Sequence, residues 1–151
     1  MAIERIPPTE EKINSLLSDF EGKYHVILDQ LHSLSEGTFD EFDGPNMAAF
    51  CLVALAALTN SLKDVAYRSR VLKQNSKIAE SEAYGRIKES KSKDGSKVTE
   101  TTVAHLVALD KTFNDLTRDY IRAETDLKQL ENIKSILDEA HITFRSLKKG
   151  I

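Results

Sequence analysis

The chain has 151 residues, 40% of them hydrophobic and 30% charged, with a formal net charge of −3. That length holds one domain, or one domain with an arm, and the composition excludes a disordered chain. Cys51 is the only cysteine, so no internal disulfide forms, and its apolar setting AAFCLVALAAL predicts a small buried residue of a reducing compartment.

Tryptophan is absent and proline and glycine are sparse, which favours helix. The mean charge hides a polarity: residues 1–46 carry 3 basic and 10 acidic side chains, residues 63–97 carry 10 and 5, and residues 98–151 carry 8 and 9. The opening MAIERIPPTEE lacks the basic-then-apolar order of a secretory signal. The apolar run Met47–Leu58 is read as too short to span a bilayer. A cytoplasmic protein without membrane attachment is expected.

The first helix is expected to follow Pro7 and Pro8, with Thr9 as its N-cap and Glu10 and Glu11 in its first turn. Apolar residues at Ile13, Leu16, Leu17, Phe20, Tyr24, Ile27, Leu28, Leu31 and Leu34 keep helical spacing, although Gly22 leaves room for two shorter helices. SEGTFDEFDGPN, residues 35–46, breaks the pattern and marks the best boundary, with Phe39 and Phe42 as docking residues. Residues 1–45 are thus expected to form an acidic helical arm with a linker, and residues 46–151 a second domain.

A second helix is predicted from Asn46 to about Glu89, with Leu55, Leu58, Leu62, Val65, Leu72, Ala79, Ala83 and Ile87 as its stripe. Its first third is apolar nearly all round. Asp94-Gly95 signals a turn, within a short hairpin or a disordered loop. Thr99 is the expected cap of a last helix that carries a coiled-coil seam at Leu109, Phe113, Leu116, Tyr120, Ala123, Leu127 and Leu130, continuing to Phe144 and Leu147. Lys148, Lys149 and Gly150 supply its C-terminal charge and stop. The expected fold class is all-α, a long antiparallel helical hairpin with an additional N-terminal helix. An apolar face from Met47 to Leu62 would be left in water by a monomer, so self-association into a homo-oligomer is expected.

Nothing points to catalysis or to a cofactor: no Walker loop, GxGxxG, GxSxG or HExxH occurs. His25, Asp29 and His32 share a helix face, a spacing that a metal site can use and that solvated faces also show. The stronger signal is cationic. Arg68, Arg70, Lys73, Lys77, Arg86, Lys88, Lys91, Lys93 and Lys97 fall in one third of the chain, and Arg70, Lys73 and Lys77 share a face. Such a surface suits phosphates without reading sequence. Tyr67 and Tyr84 offer stacking faces for unpaired bases, and Ser76, Ser81 and Ser90 offer hydrogen bonds. A solvated lysine-rich helix with a soluble turn is the plain alternative.

Lys77, Ala83-Tyr84, Arg86, Lys88, the turn KDGSKVTE, VALDKTF and Tyr120 together resemble the UvsY-type recombination mediators of bacteriophages, over about residues 60–150. The resemblance implies a ring-forming helical protein that binds single-stranded DNA and does not hydrolyse nucleotides. It further implies help in loading a RecA-like recombinase onto DNA coated by single-strand-binding protein, with the DNA-contacting helix near Arg70 to Lys88. The acidic arm 1–45 has no place in that family pattern. The rival expectation is a structural or chaperone-like hairpin, prefoldin-like in outline or part of phage assembly, although this tip is polar where prefoldin tips are apolar.

Overall fold

The computed structural model describes residues 8–93 and 99–147. They form an all-α fold: α1 (Glu10–Glu36), a 3₁₀ turn (Glu41–Asp43), α2 (Gly44–Lys93), α3 (Glu100–Ala108) and α4 (Lys111–Ser146). The expected turn at Asp94-Gly95 and the C-terminal charges Lys148 and Lys149 lie outside the described residues.

The helix ends follow local chemistry. Thr9 accepts from the Lys12 backbone N–H at 3.2 Å, and Glu10 and Glu11 occupy the first turn. Gly22 does not divide α1; the helix runs unbroken to Gly37, whose φ of 77° and N–H bonds to Leu34 and Ser33 carbonyls close it. Asp40 accepts from the Phe42 N–H at 3.0 Å and starts the 3₁₀ turn.

The chain divides into two compact units. One comprises Pro8–Val65 and the described residues from Asp126 on; the other is Ala66–Thr125. The boundary therefore crosses α2 and α4 rather than falling near residue 45. The reason is packing: α1 shares a core with the first part of α2 and the end of α4. Ile13, Phe20 and Ile27 bury with Ala48, Cys51, Ala54, Leu58, Val65, Leu130, Leu137, Ala140 and Phe144, and Leu55, Leu62 and Leu127 lie partly buried against them. Phe39 docks as expected, its ring 5.2 Å from that of Phe144, while Phe42 stays 72% exposed. Burial pushes the Cys51 thiol above its ordinary pKa.

Within the same unit, Gly44 sits so close to the end of α4 that a Cβ there would lie 2.8 Å from the Phe144 carbonyl oxygen. The outer face of α2 is not covered: Leu52 and Val53 are 51% and 54% exposed. No charge occurs between Gly44 and Leu62, a longer uncharged stretch than the run Met47–Leu58 considered above. The helical stretch Glu41–Lys93 is long and apolar enough, by length and composition, to cross a membrane, and 28% of its 18-residue apolar window is buried within the protein.

In the other unit, Ala83, Val103 and Val107 form a second small core, flanked by Tyr84, Ile87 and Phe113. Here α2 and α4 run antiparallel: Ser76 faces Thr117 with hydroxyls 2.8 Å apart, while Phe113, earlier in α4, packs near Ala83, later in α2.

The expected unbroken last helix is instead two. Leu109 closes α3, its N–H bonded to the Leu106 carbonyl at 3.1 Å, and Asp110 opens α4. The Asp110 carboxylate accepts from the Phe113 N–H at 3.0 Å, and Asn114 Nδ2 donates back to the Ala108 carbonyl at 2.9 Å. A side-chain cap competes successfully with one more turn of helix. Leu109, placed on the expected seam, is 76% exposed and belongs to neither core.

Candidate nucleic-acid interface

The cationic residues sit on the distal part of α2. Helical spacing of 3, 4, 11 and 3 puts Arg70, Lys73, Lys77, Lys88 and Lys91 on one face. Arg70, Lys73 and Lys77 are exposed, and among the described residues no carboxylate lies within ion-pair distance of them. Three such cations on successive turns of a helix hold charge at fixed intervals along about 10 Å of axis.

Further along, the charges are engaged. Arg86 lies on the opposite flank of α2 and donates Nη2–H to Asp110 Oδ1 at 2.6 Å; its side chain remains 66% exposed while Asp110 is 16% exposed. Lys88 Nζ is 4.0 Å from Glu100 and 5.6 Å from the centre of the Tyr84 ring. Lys93 pairs with Glu89 at 3.4 Å. Arg68 is half-buried and shares the side of α2 that carries Arg86. Lys97 lies outside the described residues.

Tyr84 is anchored rather than free. Its phenol donates to Glu100 Oε2 at 2.6 Å, and that bond, with the carboxylate's charge, pushes its pKa up. The ring borders a groove of about 590 Å³ that also touches Glu80, Glu100, Val107 and Phe113. Ser76, expected as a ligand contact, is corrected: it is buried at 8% and bonded to Thr117, so its hydroxyl serves the α2–α4 contact. Ser90 is exposed, with no hydrogen bond among the described residues. Of the remaining seam, Phe113, Leu116 and Tyr120 are half-buried; the Tyr120 phenol is raised by its bond to Glu124.

His32 pairs with Glu36 at 3.1 Å. Among the described residues, no three His, Cys, Asp or Glu side chains gather as a metal site requires.

Sequence reasoning missed the acidic partner Asp110 and the capping role that fixes it. The available signal was an Asp directly before a helical run, an ordinary N-cap pattern. The described residues define an all-α protein in which one group of exposed cations lines the distal part of a long helix. Compared with family models, curated proteins and solved structures, the chain matches none.

Proposed function

We propose that this protein is a non-enzymatic, homo-oligomeric single-stranded DNA-binding accessory protein of phage homologous recombination, of the kind that helps load a RecA-like recombinase onto DNA covered by single-strand-binding protein. The observation that carries the reading is the row Arg70, Lys73 and Lys77, exposed and without acidic partners among the described residues. Unpaired cations on a rigid scaffold attract a phosphate chain and release its counterions. The exposed Leu52 and Val53 on the uncharged face of α2 support self-association, which would multiply weak contacts to one strand.

Fluorescence anisotropy with a labelled single-stranded oligonucleotide, across a salt series, tests the proposal. Replacing all three cations in Arg70→Ala/Lys73→Ala/Lys77→Ala should weaken binding and flatten the salt slope by about 2, at about 0.7 for each phosphate no longer neutralised. An unchanged slope, or no binding by the folded wild type, overturns it.

A further inference from the structure

The flank of α3 away from the Tyr84 groove carries a second, smaller cavity of about 310 Å³, lined by Arg86, Ile87, Ser90, Lys91 and Leu106. Glu100, Ala104 and Ala108 recur every four residues and share the flank of α3 at the larger groove; Leu106 points to the other. The two recesses therefore differ in chemistry. The larger one has carboxylates at its rim. The smaller one has an apolar floor, two cations and an uncommitted hydroxyl.

We propose that this smaller recess holds a single unpaired nucleobase, with its flanking phosphates on Arg86 and Lys91; this inference rests on the single-strand-binding reading above. Five observations converge. Ile87 and Leu106 are both half-buried, so each presents one apolar side to the recess. The volume lies at the lower end of the range of about 300–1,000 Å³ usual for small-ligand sites, which suits one base and not a folded peptide. Lys91 belongs both to the cationic face of α2 and to the rim, so a strand following Arg70, Lys73 and Lys77 toward the end of the helix arrives at the recess. Arg86 is anchored to Asp110 through one nitrogen, while the rest of this 66% exposed group faces outward. Ser90, without a hydrogen bond among the described residues, is the group available to a base edge. Tyr84 is less suited to the same task, because its hydroxyl is bound to Glu100 and Lys88 lies over its ring.

The test compares anisotropy of labelled oligothymidylate with that of an abasic strand of equal length and charge, at one salt concentration. Wild type should prefer the base-bearing strand about tenfold, as apolar burial of one base face against Ile87 and Leu106 warrants. Ser90→Leu fills the recess with an aliphatic side chain from an exposed position that does not burden folding, and Leu106→Ala removes its floor. Each should erase the preference while leaving abasic binding unchanged, with folding checked by circular dichroism. Equal wild-type affinity for the two strands overturns the base site but leaves the phosphate surface standing. A preference that survives Ser90→Leu also overturns it, since the bases then bind elsewhere. Failure of wild type to bind either strand removes both readings.

Discussion

Removing the Asp110 side chain is the sharpest test of how the tip is held together. Asp110 does two things at once: it caps α4 through the Phe113 N–H at 3.0 Å and it fixes Arg86 at 2.6 Å. Loss of an N-cap costs about 1 kcal/mol. The ion pair is exposed on its arginine side and contributes about 0.5 kcal/mol after screening. Asp110→Ala should therefore cost about 1.5 kcal/mol, lowering the urea midpoint by about 0.7 M for a slope near 2 kcal/mol/M. Asp110→Asn separates the two parts, because asparagine caps as well as aspartate but carries no charge. It should lose only the pair, a shift of about 0.2 M, and Arg86→Met should match it. The assay is urea unfolding followed by circular dichroism at 222 nm. If Asp110→Asn proves as damaging as Asp110→Ala, the cap is not what sets the break. If Asp110→Ala stays within about 0.1 M of wild type, neither interaction matters to stability and the reasoning fails.

Two glycines should respond to alanine in opposite directions. Gly22→Ala adds a methyl to open space on a helix and should stabilise by about 0.5–1 kcal/mol, whereas Gly44→Ala drives a methyl to 2.8 Å from the Phe144 carbonyl oxygen and should cost about 1–3 kcal/mol; thermal melts moving in the same direction would contradict this packing. Tyr84 should ionise above the usual tyrosine range near 10, because its proton serves the bond to Glu100. The stability from that bond is present below the ordinary tyrosine pKa and is lost as pH rises through the raised one. Spectrophotometric titration at 295 nm, with Tyr84→Phe to assign the signal, should show its pKa fall in Glu100→Ala, and an unmoved titration would dismiss the bond.

How legible the fold was depends on the range of the interactions that shape it. Thr9 and Thr99 were readable as caps because the bond each accepts, from Lys12 and Thr102, closes within three residues. The core positions Leu58, Leu130 and Phe144 were readable because burial repeats at helical spacing. The break at Leu109–Asp110 was not, because the alternating steps of 4 and 3 begin at Leu109 itself and, by placing it on the seam, conceal a competing cap. There, a local hydrogen bond overrides periodicity, leaving Leu109 in solvent while Val103 and Val107, outside the expected seam, take the buried places. Gly22 shows the reverse: a weak helix former is carried by the packing of Phe20 and Ile27 on either side of it.

The same distinction governs the site. The row Arg70, Lys73 and Lys77 could be read from spacing alone, since three residues on successive turns of one helix need no knowledge of tertiary structure. Which cations remain available could not, because Arg86 and Asp110 are 24 residues apart and Ser76 and Thr117 are 41 apart. The pairing changes what each charge contributes. An arginine held by a carboxylate adds little net attraction at long range but presents its remaining donors in a fixed direction, while an unpaired lysine adds attraction without direction. On the proposed single-strand-binding reading, long-range capture of a strand would fall to Arg70, Lys73 and Lys77, and local placement to Arg86 beside Ile87 and Leu106. That division predicts different signatures: alanine at the three unpaired positions should lower the association rate and its salt dependence, whereas Arg86→Ala should chiefly raise the dissociation rate. Stopped-flow measurements giving the same pattern for both sets would refute the division between capture and placement.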